Sequence, residues 1–361
     1  MTMAALQRLP NRRRPIAAGA MLLVLLALAA ILTPARGNTP IATRNLPADA
    51  RISVMTYNVE GLPFPARIGR SSSLDQIGLR LHEMRAAGRQ PHIVALQETF
   101  SDVAKQIGVQ AGYRYIVSGP SAEMAARKLN NGAETALASS ANMFKGEGIG
   151  KYFDSGLMIL SDYPVLSVRR VAFPSCAGFD CMANKGAVMA FIAVPGVPAP
   201  VAVVDTHLNS RAASRAQFDR SLVAYKQQIE VLGRFLQANL TPSSPLIIAG
   251  DFNVGKDRYR SAYLEAHFAN WWNGATEVGV RDSLRRCAAG EEGCDPNMPA
   301  DAFRTLRRGK DWQISAPALA SAILPRAISV PFGRESDGSM LSDHMGYVVH
   351  YRWQPGGGRR L

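Results

Sequence analysis

Residues 245–254 read PLIIAGDFNV. Leu246 to Ala249 form an apolar run of the kind a buried strand carries, and Gly250 lets the backbone turn where the run stops. Asp251 and Asn253 follow two residues apart, so an extended backbone points both side chains the same way. A carboxylate and a carboxamide converging there suit a hard cation or a phosphate. The same letters also read as a plain strand-to-turn transition, since Gly, Asp and Asn all favour turns. The rest of the chain has to separate the two readings.

Four further apolar runs meet a polar group at one end. Asn58 follows ISVMTY, Glu98 follows IVALQ, His207 follows VAVVDT, and Asp343-His344 precede the run at 346–351. Independent turns have no reason to place Asn, Glu, His and Asp repeatedly at the ends of buried strands, whereas a shared catalytic rim does. Strands are expected at 52–59, 93–96, 113–117, 156–160, 165–173, 186–194, 201–206, 246–249, 312–315 and 346–351. Helices are expected from a Ser73 cap to about Ala87, over 101–109, and where Phe218, Leu222, Tyr225, Ile229, Leu232 and Leu236 share a face. Residues 61–72 read as a loop and 119–151 as a long surface excursion of weak periodicity. Strands outnumber helices, which predicts an α/β fold: a four-layer αββα sandwich of two packed, mostly antiparallel sheets, with helices on the outer faces.

The chain has 361 residues and a formal charge of +13. Its start carries Arg8, Arg12, Arg13 and Arg14, then an uncharged stretch from Ile16 to Leu32, the pattern of an export signal or a retained signal anchor. The expected organisation is therefore a signal segment at 1–37, a linker at 38–50, a single catalytic domain at 51–354 and a disordered tail at 355–361, in an exported protein that is periplasmic, secreted or membrane-anchored. Without residues 1–37 the charge falls to +8, which favours anionic partners without naming one. Cys176 with Cys181 and Cys287 with Cys294 form two local pairs, which in an exported chain read as disulfide-closed loops. A zinc site is the weaker reading, because no histidine stands beside either pair.

The motifs TYNV (56–59), LQET (96–99), DSGLMILS (154–161), DTHLN (205–209), GDFN (250–253) and SDH (342–344), in this order, resemble the endonuclease/exonuclease/phosphatase superfamily of metal-dependent phosphoesterases. The resemblance implies the αββα sandwich and a set of roles. Glu98 with Asn58 would hold Mg²⁺, with Mn²⁺ as the alternative ion. Asp251 would position or deprotonate the attacking water, and Asn253 and His207 would hold the phosphate oxygens. His344 would act on the phosphate or as the base, oriented by Asp311 in KDWQIS (310–315). Asp343 would support it, and Asp154 would support the other histidine or the phosphate. Within the superfamily, CAGFDCMANKGAVMAFI (176–192) resembles bacterial sphingomyelinases of the phospholipase C type, and NKGAV also resembles inositol-polyphosphate 5-phosphatases, which makes Lys185 a candidate contact for the substrate or for the backbone at the rim. Secreted sphingomyelinases carry a long aromatic hairpin before the final Asp-His; here ISVPFGRESDGSMLSDH (328–344) is short, with Phe332 its only aromatic, and Trp271-Trp272 would be the wedge elsewhere or core. The implied substrate is a phosphodiester, phospholipid at a membrane surface first, with nucleic acid or an inositol or sugar phosphate as alternatives. No protein partner is implied.

Overall fold

In the computed structural model the apolar runs become strands of two sheets; residues 52–62, 67–241, 244–271, 282–316 and 321–355 are described. One sheet contains β1 (Ile52–Asn58), β2 (Ile93–Gln97), β3 (Tyr115–Ser118), β4 (Met158–Ser161), β10 (Ser321–Phe332) and β11 (Gly346–Pro355), in the order β10-β11-β1-β2-β4-β3. The other contains β5 (Val165–Ala172), β6 (Gly186–Ile192), β7 (Val201–His207), β8 (Leu246–Asp251) and β9 (Asp311–Ala316), in sequence order. Only β1–β2 and β7–β8 run parallel; the other pairings are antiparallel.

Strand alternation explains the layering. Val54 points between the sheets to meet Ile93, Val203, Ile247 and Val349, while its neighbours Met55 and Tyr57 point outward. The outer face of the first sheet is covered by α1 (Arg70–Ala86) and α2 (Asp102–Gln110) through Leu74, Ile77, Leu81 and Ile107. The second sheet is covered by α4 (Phe218–Asn239), whose Tyr225, Ile229, Leu232 and Leu236 pack on Met189, Val204 and Ile248, and by α5 (Arg258–Trp271) through Leu264 and Phe268. This is the αββα order expected from the sequence.

The two parallel pairs matter most for function. Their registers place Asn58 beside Gln97, and His207 beside Asp251. Antiparallel β9 sets Asp311 on the other side of Asp251. Polar strand ends from both sheets therefore open at one edge of the sandwich.

Several expectations shift. Helix α1 begins at Arg70, not after Ser73, because the Arg70 guanidinium donates to the carbonyls of Val59, Glu60 and Leu341 and draws the first turn onto the sheet edge. The excursion at 119–151 contains a short helix, α3 (Gly132–Ser139), capped by Asn131 Oδ1 accepting from Glu134 N. Strand β10 was not expected, since Pro325 and Pro331 break its pattern; the hydrogen-bonded register with β11 shifts at 325/327 and 329/332. Phe332 stacks on Tyr57 at 5.0 Å and is buried, so it is core and no wedge. Both local disulfides, Cys176–Cys181 and Cys287–Cys294, are closed. Among the described residues no helix is long and apolar enough to cross a membrane. The signal segment, the linker, Trp272 and residues 356–361 lie outside the described residues, as does the Trp271 side chain.

Gly250 has φ 146°, and a Cβ there would sit 2.0 Å from the Thr206 carbonyl oxygen on the neighbouring strand. That contact is with backbone and has no rotamer to escape into. Gly250→Ala is expected to cost roughly 1–3 kcal/mol, measured as a lower urea midpoint with unchanged slope.

Candidate active site

Asp251 stands where the two sheets meet at the rim. It is 2% exposed, and its Oδ2 lies 3.2 Å from Asn58 Nδ2, 3.6 Å from His207 Nε2 and 3.7 Å from His344 Nε2. Its Oδ1 accepts from the backbone N–H of Asn253 at 2.9 Å. Asn58 also donates to Glu98 Oε1 at 2.9 Å, so one amide group links Glu98 and Asp251. The amide oxygen of Asn58 accepts from Glu60 N. Asn253 donates to the Leu208 carbonyl, which ties the turn after β8 to the end of β7. Glu98 and Asn253 both sit at positive φ, 59° and 49°, a conformation that costs a non-glycine residue of order 1 kcal/mol and is often kept at functional sites.

The two histidines differ in charge for stated reasons. His344 Nδ1 lies 2.7 and 2.9 Å from the Asp311 oxygens, which leaves Nε2 facing Asp251. Burial opposes its charged form, but Asp311 and then Asp251 outweigh burial and raise its pKa to about 9. His207 lies 3.1 Å from Lys185 Nζ; burial, then the Lys185 charge, push it well below the ordinary histidine value. Its Nδ1 has no partner among the described residues.

Lys185, Asp154 and Asp343 stand outside the circle of contacts of the Asp251 oxygen. Of the two contacts expected for Lys185, the structure has the backbone one: the ammonium is buried, donates to the Leu208 carbonyl and to Asp180 Oδ2 at 2.8 Å, and lies against His207. Asp154 joins none of these groups, because its carboxylate pairs with Lys105 at 2.9 Å and accepts from Gly156 N in its own turn. Asp343 lies outside the buried cluster, half exposed, with Oδ1 4.0 Å from His344 Nε2. Asp180 was missed in the sequence because it sits in a small disulfide loop with no strand before it. Asp205 is wholly buried between the sheets, accepts from Gln97 Nε2 at 2.7 Å, and is raised well above the usual carboxylate range by burial.

Asp251, Asp311 and His344 lie close enough to hold a metal ion together. Both Asp311 oxygens face the His344 ring, however, which makes that group a carboxylate–imidazole pair first. Glu98 fits a hard cation better: it is an oxygen donor, and burial raises its pKa despite the Asn58 hydrogen bond, so a neighbouring positive charge would stabilise its anion.

The model of the endonuclease/exonuclease/phosphatase family matches residues 55–344, a span that includes every residue of this cluster. The chain belongs to that family. Among curated proteins it is similar to the sphingomyelinases of Mycobacterium tuberculosis and Mycobacterium bovis, 26% identical over 265 residues, covering 70% of this chain. The chain spans 45% of the length of those relatives. Solved structures of the same fold include a Staphylococcus aureus beta toxin variant with bound magnesium ions (18% identical, 83% of this chain and 99% of that one, TM-score 0.53). Sphingomyelinase C from Streptomyces griseocarneus is another (19% identical, 83% and 99%, TM-score 0.51), and D. rerio TDP2 with a single-strand DNA product a third (16% identical, 84% and 100%, TM-score 0.51).

The ion pair between Asp311 and His344 gives a family-independent test. Asp311→Asn removes the larger of the two charges that raise the imidazole, so its NMR titration should move from about 9 toward or below the ordinary value. Because the folded pKa is the raised one, the stability this pair contributes is full below about pH 6.5 and is lost as pH rises through about 9. An unchanged titration in the variant would contradict the pairing.

Proposed function

We propose that the protein is an exported, Mg²⁺-dependent phosphodiesterase that cleaves phospholipids in the manner of a phospholipase C. The observation that carries the chemistry is the single Asp251 oxygen faced by two histidines of opposite protonation, with Glu98 one amide away. The sphingomyelinase relatives support the lipid substrate, and the two disulfides support export.

Each side chain then has a task. Glu98, positioned by Asn58, would hold the ion, and a bound Mg²⁺ supplies charge neutralisation at the phosphate. Asp251 orients the attacking water and takes its proton. His344, held by Asp311, is charged at neutral pH, so it stabilises the phosphate oxygens and can hand a proton to the departing alcohol. Neutral His207, braced by Lys185, and the second amide hydrogen of Asn253 hold non-bridging oxygens as negative charge builds on them. Asp343 screens His344 from the outside.

Glu98→Gln keeps the shape of the side chain and removes the anion. Release of phosphorylated headgroup from phospholipid vesicles should fall by about 10²-fold or more, with KM for substrate changing far less. Wild-type protein in excess chelator should be equally inactive and recover with Mg²⁺. Full turnover under either condition would sink the metal assignment.

A second outcome tests His344. The kcat/KM profile should fall on the alkaline side near pH 9, and Asp311→Asn should move that limb to lower pH. A profile that rises through pH 9 would make His344 a base.

A further inference from the structure

Beside the catalytic cluster lies a cavity of about 470 Å³ lined by Arg304, Arg307, Arg308, Arg334, Asp311 and Asp343, with Thr305, Met340 and Met345. It opens directly off the site, because Asp311 holds His344 Nδ1 and Asp343 Oδ1 is 4.0 Å from His344 Nε2. On its other oxygen Asp343 pairs with Arg308 Nη2 at 3.6 Å. One carboxylate thus separates the first guanidinium from the catalytic histidine.

The acids in and around the cavity are already engaged. Asp301 pairs with Arg304 through Oδ1 and accepts from Arg334 N through Oδ2. Asp343 is taken by Arg308, Asp311 by His344, and Glu335 by Arg80. Among the described residues that leaves the guanidinium groups of Arg307 and Arg334 without a carboxylate of their own. Helix α6 (Ala300–Arg308) supplies three of the four arginines from consecutive turns, and the loop after β10 supplies the fourth. Gathering like charges in one concavity is unfavourable unless an anion enters it.

The lining also says what does not fit. Among the described residues no aromatic ring lines the cavity, so they offer neither a cage for a quaternary ammonium nor a platform for a base. An arginine wall repels a trimethylammonium group and matches a phosphate, which it can grip in paired N–H donors.

We propose that this cavity is a subsite for a second phosphate on the headgroup of the substrate, so that the enzyme acts on anionic phospholipids in preference to choline lipids. The proposal rests on the phosphodiesterase reading above. The scissile phosphate lies at Asp251 and the histidines, and the headgroup extends past Asp343 until its second phosphate reaches Arg307 and Arg334.

The test uses the double variant Arg307→Gln/Arg334→Gln, whose side chains are exposed and lie outside the buried cluster. Losing two charge-assisted contacts should cost about tenfold or more. On phosphatidylcholine vesicles carrying phosphatidylinositol bisphosphate, the variant should lose about tenfold or more in kcat/KM while staying within about threefold of wild type on sphingomyelin vesicles. Binding provides an arm independent of turnover: inorganic pyrophosphate titrated calorimetrically into metal-free protein should bind wild type about tenfold tighter than the variant. Equal pyrophosphate affinity in both proteins, or no binding to either, overturns the subsite. A binding difference with no lipid hydrolysed by wild type leaves the subsite standing and removes the phospholipase reading. Faster turnover of the deacylated, water-soluble diester than of the vesicle-borne lipid overturns the lipid source. Arginine-dependent cleavage of single-stranded DNA in place of lipid overturns the lipid class.

Discussion

A buried carboxylate needs partners, and Asp251 takes them from both sheets. Its Oδ2 is approached by Asn58 from β1, His207 from the end of β7 and His344 from the turn before β11. Burying an ionised group without such company costs several kcal/mol, so these contacts hold only when the two sheets pack in one register. The packing of the sandwich and the assembly of the site are one constraint. The seam beneath repeats it: Gln97 on the first sheet donates to Asp205 on the second, and Gln313 on the second donates to the Val54 carbonyl on the first.

From that shared oxygen the two histidines diverge. Each has Nε2 at nearly the same distance from Asp251, yet the group behind each ring differs. Asp311 behind His344 favours the imidazolium, while Lys185 beside His207 favours the neutral ring. One site thus contains one imidazole biased toward its charged form and one biased toward its neutral form. The side chains that create the difference touch the rings; they need not touch the substrate.

The strand ends were legible in the sequence because each broke an unambiguous apolar run, so chemistry and secondary structure pointed to the same positions. Asn58, Glu98, His207, Asp251 and His344 are of this type, and the structure brings them together. What stayed hidden depends on long-range register. Nothing local in CAGFD says that Asp180 will reach Lys185, and nothing in NKG says that Lys185 will turn inward to His207. Strand β10 was invisible for a different reason. Its prolines and mixed pattern describe an edge strand, whose identity comes from the neighbour it pairs with. The arginines of α6 end no apolar run and carry no motif, and only the position of Asp343 shows that they border a cleft.

The pairing of β1 with β11 sets Ile52 opposite Tyr351, so the first and last described strands lie side by side at the centre of one sheet. Contacts between such distant parts of a chain form late, because a long loop must close before they repay its entropy. During synthesis β1 has β2 on one flank and an open edge on the other until β11 has emerged. His344 arrives with the same final segment that seals this edge. Completing the sheet and bringing the imidazole to Asp251 are therefore the same late event, and a chain that stops short of β11 has neither.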